Sequence, residues 1–243
     1  DNRISSISYD PNSSVYTAWD LGHTDDTAIW WYQVILGEIH ILESYASSGG
    51  SLSEYASQIL GREVSIDLIG DDVKATIGGI LPDISHRAKY KYQKHWLPHD
   101  ARAKTLAAKG KSIIQQLATA LTLEKMEIVP DIGVEDGIQA ARMMFSACYF
   151  DAEGCDPGLK ALRRYRRERQ QDERSFKKIP KHDWTSHFAD AFRMLAVATQ
   201  NEVKPEKKKN PLIDIRASKS GGIQLPCLET LWAEAKLTRH ERI

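Results

Sequence analysis

Hydrophobic, β-branched and aromatic positions gather in three runs near the start of the chain, "SVYTAWDL" (14–21), "TAIWWYQVI" (27–35) and "EIHILESYA" (38–46). Such residues suit a pleated, buried surface, and "LG" before Glu38 is a turn signal, so the pattern predicts a three-stranded antiparallel meander. At "SLSEYASQIL" (51–60) the apolar spacing becomes helical. Ser51 is placed as an N-cap, with Glu54 three residues later completing a capping box. The chain thus opens β-β-β-α.

Residues 61–93 carry mixed signals. "SIDLIGDD" suits a strand, while "GGILPDISHRAKYKYQK" mixes Gly, Pro, basic and aromatic residues, and the region is expected to be irregular. Its "HRAKYKYQK" (86–94) reads either as a basic-aromatic surface or as an edge strand guarded by lysines. "HWLPHDARAK" (95–104) predicts a short buried strand ending at Pro98, with His99 and Asp100 at its C-terminal end. "SIIQQLATAL" (112–121) predicts an amphipathic helix, "MEIVPD" (126–131) a strand and "VEDGIQAARMMFSACYF" (134–150) a long helix. "PGLKALRRYRRERQQD" (157–172) predicts a helix with a heavily basic face, 173–183 a loop or hairpin, and "WTSHFADAFRMLAVATQ" (184–200) the clearest helix of all. From Asn201 "NEVKPEKKKNP" reads as a charged linker, and only "CLETLWAEAKL" suits a short helix. A domain over 1–200 and a largely mobile tail over 201–243 are expected. An antiparallel opening followed by helix-linked strands predicts a mixed α/β sheet flanked by helices, in the order of a ribonuclease H-like fold.

Composition narrows the function classes. With 243 residues, 42% hydrophobic and 27% charged, the chain has the make-up of a soluble globular protein with one sizeable core. Its formal net charge is zero, so any hold on nucleic acid must come from local charge. Cys148, Cys155 and Cys227 form neither a disulfide framework nor a zinc spacing, which favours a reducing setting. No apolar run approaches the roughly 18 residues that a membrane span needs. The chain opens at Asp1 without an initiator Met, which suggests a piece of a larger protein.

Three acids fall where elements end. Asp20 closes the first strand, Asp100 follows the strand after the first helix, and Asp190 lies on the late helix with His187 three residues before it on the same face. Carboxylates held close together repel, and each pKa rises unless a cation holds them. Oxygen-only ligands favour Mg²⁺ or Mn²⁺. Two such ions about 3.5–4 Å apart can clamp a phosphodiester. Blander roles exist for each residue: Asp20 as a turn initiator, Asp100 as a loop residue, and Asp190 as the partner of Arg193 at i+3. His187 and His99 suit packing or hydrogen bonding as well as chemistry, and Asp25 and Asp26 suit a turn.

Taken together, "VYTAWDLGHTDDTAI", "HWLPHDARAK" followed by "GKSIIQQL", and "TSHFADAFRMLA" resemble the nuclease domain of tailed-phage terminase large subunits over roughly residues 8–200. The run from Ser186 to Arg193 is the most specific part. The resemblance implies a metal-dependent endonuclease that cuts concatemeric double-stranded viral DNA during genome packaging by two-metal-ion hydrolysis, in the cytoplasm of an infected bacterium. It implies Asp20, Asp100 and Asp190 as catalytic ligands of two Mg²⁺ or Mn²⁺ ions, with Asp20 bridging both. Asp26 and His187 would support them. Partners implied are a packaging ATPase domain of the same polypeptide, and the small subunit and portal. No phosphate-binding G-x-x-x-x-G-K-[ST] occurs: "GKS" at 110–112 is preceded five residues earlier by Thr105.

Between Lys160 and Lys181, basic residues outnumber Glu168, Asp172 and Glu173, and the run precedes Asp190 directly. Arg163, Arg164, Arg166, Arg167, Lys177 and Lys178 are the candidates for contacts to DNA phosphates, which position a duplex without reading its sequence. A solvated helix face with local ion pairs is the plainer reading. Two other functions remain in competition: a different ribonuclease H-like nuclease that resolves junctions or cleaves RNA–DNA hybrids, and a catalytically silent module that docks on DNA or a portal.

Overall fold

The computed structural model describes residues 3–22, 25–104, 109–169 and 176–202, with two further strand fragments, Arg216–Ala217 and Ile223–Gln224. One compact unit spans Asp1–Val203 and a second spans Lys204–Ile243. Of the second, only the two fragments are described, paired antiparallel; the expected helix at "CLETLWAEAKL" lies outside the described residues.

The first unit is built on a seven-stranded sheet. Its strands are β1 (Ile4–Ser5), β2 (Val15–Asp20), β3 (Asp26–Ile35), β4 (Glu38–Ser48), β7 (Tyr92–Leu97), β8 (Met126–Ile128) and β9 (Cys148–Asp151), in the spatial order β1-β9-β4-β3-β2-β7-β8. The β2–β3–β4 meander is antiparallel, as its alternation and turn signal predict. The outer pairs are all parallel. A meander extended by parallel strands on either side is the ribonuclease H-like arrangement.

Helices cover both faces, which is why β3 reads as a continuous apolar run with Trp30 and Trp31 both fully buried. On one face pack α1 (Leu52–Leu60) and α2 (Ile113–Leu121), meeting Trp19, Trp31 and Leu97. On the other pack α3 (Val134–Met144), α4 (Asp156–Arg164) and α5 (Trp184–Glu202), meeting Ala18, Trp30 and Phe150. Trp30 anchors α5: its Nε1 donates to the Phe188 carbonyl at 2.9 Å, and its ring meets Phe188 and Phe192 edge-on. Side chains on a strand alternate, so Asp20 shares the parity of Ala18 and faces α5.

Several expectations need correction. Residues 61–93 are ordered, not irregular: β5 (Arg62–Ile69) and β6 (Asp72–Ile80) form a separate hairpin, and Pro82–Lys89 is a 3₁₀ segment. Gly70, at φ +63°, supplies the left-handed residue of the hairpin turn. "HRAKYKYQK" is not an edge strand. Arg87 is buried, with Nε and Nη2 on the Glu43 carboxylate at 2.9 and 2.7 Å and its guanidinium 4.4 Å over Trp31, while β7 lies between β2 and β8. The predicted 134–150 helix stops at Met144, because Cys148 to Phe150 pair with Ile39 to Ile41 as a strand. The predicted 157–172 helix ends at Arg164, because β10 (Arg167–Arg169) pairs with β11 (Phe176–Pro180). The strand predicted to end at Pro98 ends at Leu97, and Asp100 lies in the 3₁₀ turn His99–Arg102 beyond it.

Caps differ in detail as well. Ser51 accepts from Glu54 N, but the Glu54 carboxylate accepts from the Tyr45 hydroxyl at 3.2 Å. The reciprocal capping box belongs to Ser112 and Gln115 at the start of α2, so the serine of "GKS" is a helix cap.

Candidate functional site

Parallel pairing of β2 and β7 sets their C-terminal ends on one edge of the sheet, and this is what brings Asp20 and Asp100 together. The third acid arrives on α5, which Asp183 caps by accepting from Thr185 N at 3.0 Å and from the Thr185 hydroxyl at 2.6 Å. With Phe188 fastened to Trp30, the side of α5 carrying His187 and Asp190 lies over the end of β2. His187 Nδ1 stands 3.6 Å from Asp20 Oδ2.

Electrostatics tie the three carboxylates to one locality. Asp190 is raised above the ordinary carboxylate range by burial, against the pull of the Arg193 guanidinium, and the Asp20 charge raises it further. Asp100 is also raised, first by desolvation and then by Asp20, against a lowering pull from His99. Asp20 is therefore the acid whose charge is felt by both others. Among the described residues the three do not form a set with all ligand atoms within 4.8 Å of one another. The set that does is Asp25, His182 and His187.

His187 is buried, and its imidazole is raised above the ordinary histidine range. The hydrogen bond to Asp20 is the main cause, burial opposes it, and the charges of Asp20, Asp26 and Asp25 add to it. Asp26 opens β3 opposite Ser48, close enough to act on His187 through its charge. Arg193 realises the plain structural role open to it: its Nε and Nη2 both reach Asp190 Oδ1 at 2.9 Å. Both contacts fall on one oxygen, so Asp190 is clamped without its second oxygen being engaged by this guanidinium. His99 is exposed beside Asp100. The histidine of β7, His95, is a core residue hydrogen-bonded to Thr17 Oγ1 at 2.8 Å, and burial pushes it down to about 3.

A cleft of about 490 Å³ opens beside Asp190 between α3, α4, the β10–β11 hairpin and α5. Arg142, Arg166, Arg167 and Arg193 line it together with Phe145, Tyr165 and Phe192. Tyr165 is pushed up to about 12, by burial first and then by the Asp190 charge. The basic residues are not the single helix face that the sequence predicts. Arg163 and Arg164 lie exposed on the last turn of α4, with the Arg164 guanidinium 5.9 Å over the Trp184 ring. Arg166 follows the helix, and Arg167 on β10 is ion-paired to Glu135. Lys177 and Lys178 belong to β11, and their side chains fall outside the described residues.

Sequence reasoning missed Tyr165 and the pairing of His182 with Asp25. The latter are 157 positions apart, so no local spacing could have joined them.

The fold is similar to that of the large terminase of a thermophilic bacteriophage, at 15% identity and a TM-score of 0.52, over 82% of this chain and 42% of that one. The chain thus spans about two fifths of the length of the terminase it matches. The nuclease domain of the large terminase of bacteriophage SPP1, solved with bound Mn, aligns at 12% identity and a TM-score of 0.48, over 77% of this chain and 86% of that one. That of P22 aligns at 15% identity and 0.47, over 81% and 86%. No protein-family model and no curated protein sequence matches the chain. At these identities the likeness is one of fold.

Proposed function

We propose that the chain is a divalent-metal-dependent endonuclease that cuts double-stranded viral DNA during genome packaging, working beside a packaging ATPase in a larger polypeptide. The observation that carries this reading is the convergence of the ends of β2 and β7 with the docked α5, which brings the Asp20 charge to bear on both Asp100 and Asp190. A carboxylate whose charge bears on two others at the edge of a sheet forms with them a site that a hard cation would stabilise.

The donor set fits Mg²⁺ or Mn²⁺, being oxygen only. Asp20, Asp100 and Asp190 would together hold such ions. Asp20, whose charge both other acids feel, would be the ligand they share. Bound divalent cations would supply Lewis acidity to a phosphodiester and its attacking water.

The remaining groups position this set. Arg193 holds Asp190 through one oxygen and fixes its rotamer. His187 stands with Nδ1 3.6 Å from Asp20 Oδ2 and would orient it by charge, with Asp26 adding negative charge near the imidazole. Arg163, Arg164 and Arg166, with Lys177 and Lys178, would bear on backbone phosphates near the cleft. Arg167 is engaged by Glu135 and would contribute after that surface pair opens.

The test is cleavage of plasmid and linear duplex DNA with Mg²⁺ or Mn²⁺, alongside four-way junctions and RNA–DNA hybrids. Duplex cutting should be metal-dependent and lost in Asp20→Asn and Asp190→Asn while circular dichroism stays unchanged. Full cutting by both variants would overturn the proposal, and preferential cutting of junctions or hybrids would replace its substrate.

A further inference from the structure

Outside the three carboxylates stands a second constellation with metal-binding chemistry. Asp25, in the segment leaving β2, and His182, just before α5, are exposed, while His187 on α5 is buried, and one ligand atom from each lies within 4.8 Å of the others. His182 Nε2 is 3.2 Å from Asp25 Oδ2, and the two imidazole rings sit 5.2 Å apart at 75°.

The partners on the far side of each imidazole matter more than this proximity. The Ser186 hydroxyl donates to the Asp183 carbonyl at 2.7 Å, so its oxygen is left to accept from His182 Nδ1 at 3.0 Å. That orients the His182 ring with Nε2 3.2 Å from Asp25 Oδ2, where it donates when protonated and can ligate when it is not. His187 is held in the same sense, with Nδ1 toward Asp20 and Nε2 as its remaining ring nitrogen. A ligating histidine commonly donates its other N–H to an oxygen acceptor, which sets its tautomer and orientation. Two imidazoles arranged in this way beside a carboxylate offer two nitrogens and one oxygen to a single cation.

We propose that Asp25, His182 and His187 form a second metal site, selective for a borderline transition-metal ion such as Zn²⁺ or Co²⁺ over Mg²⁺. Two nitrogens and one oxygen are the ligand set such ions prefer, whereas Mg²⁺ takes oxygen and water. An ion there would fasten the segment after Asp20 to the start of the helix that carries Asp190. It would thereby set the spacing of two of the carboxylates without being one of the ions they hold. The inference goes beyond the proposed nuclease activity and stands whether or not the carboxylates cut DNA.

The experiment is a Co²⁺ titration of the full chain in excess Mg²⁺, read by visible absorbance and by calorimetry. One Co²⁺ should bind with nitrogen-type bands. Its affinity should fall by at least about tenfold in His182→Ala, His182→Gln and Asp25→Asn, and by about tenfold in Ser186→Ala, which removes the outer hydrogen bond to His182 together with the one to the Asp183 carbonyl but no ligand atom. Asp100→Asn should bind Co²⁺ as the wild type does. Unchanged affinity and spectrum in both His182 variants would overturn the site. So would an equal loss in Asp100→Asn, because the ion would then sit among the carboxylates. His182 is exposed, so folding of its variants, checked by circular dichroism, separates lost binding from lost structure.

Discussion

Replacing Arg193 by Met tests how the closing helix holds its acid. Arg193 is buried and holds Asp190 Oδ1 by a charge-assisted hydrogen bond from Nε and an ion-pair contact from Nη2, both at 2.9 Å. Such bonds contribute about 1.5–3 kcal/mol each, and stripping one partner from a buried pair costs about 3–5 kcal/mol. The Asp190 side chain keeps 26% of its exposure, so water recovers part of the loss and the lower range applies, about 2–3 kcal/mol. For a domain of this size that is roughly 5–10 °C in melting temperature. Urea unfolding in EDTA measures it. The same cost should shrink to less than half in saturating Mg²⁺, because a cation beside Asp190 then balances the charge that Arg193 no longer meets. Packing of the Arg193 stem against Gly137 is common to both conditions and cancels. A cycle with Asp190→Asn should return a coupling energy of about 1.5–3 kcal/mol in EDTA. An equal cost in EDTA and Mg²⁺ would refute the placing of Asp190 among the metal ligands. A coupling near zero would refute the clamp itself.

Further outcomes follow from the same geometry. His187 is raised above its ordinary value of 6.5, chiefly by Asp20, so its contribution to stability is complete below that value and is lost as pH rises through the raised one. Melting temperature in EDTA should therefore fall with pH in that window, and Asp20→Asn should flatten the fall; an unchanged slope would exclude the pair as its source. Gly158→Ala places a Cβ into the Trp30 ring and should destabilise by about 1–3 kcal/mol, overriding a helix-propensity gain of about 1 kcal/mol. Chemical denaturation checks this, and a stabilised variant would show that α4 can shift. Removing Arg163 and Arg164 together should weaken duplex binding alike for unrelated sequences and lower the salt dependence of log K by about 1–2. Fluorescence anisotropy across a salt series measures that slope, and an unchanged one would take α4 out of the DNA-binding surface.

How far the chain can be read from its residues depended on whether each element buries a face. The β2–β4 meander and α5 were legible because strong alternation or helical spacing coincides with clear turn and cap residues. The β5–β6 hairpin was not, since most of its residues are exposed on both sides and its alternation marks no core. Cys148–Asp151 failed for the opposite reason. It is only four residues long with Cys148 and Phe150 buried, and at that length a strand and the end of a helix look alike. The Arg-rich run after α4 has good helix propensity, but pairing of β10 with β11 overrides it.

The site divides along the same line. Asp20 and Asp190 stood out because one closes a strand and the other sits in an apolar helix where a carboxylate demands a partner. Asp100 was harder to place, lying beyond the strand end in a turn where an acid is common. Asp25 and His182 gave no sign, because each is an ordinary exposed polar residue and only the docking of α5 over β2 brings them together. That docking depends on Trp30, whose indole reaches the Phe188 carbonyl and leaves one turn of α5 facing the end of β2. The same turn presents His187 to Asp20 and, through His187, to His182 and Asp25. A change at Trp30 should therefore disturb the carboxylate site and the histidine site together, although the indole contacts no candidate ligand in either. Hence the two proposed sites would share one mechanical support while differing in the ions their donors would select.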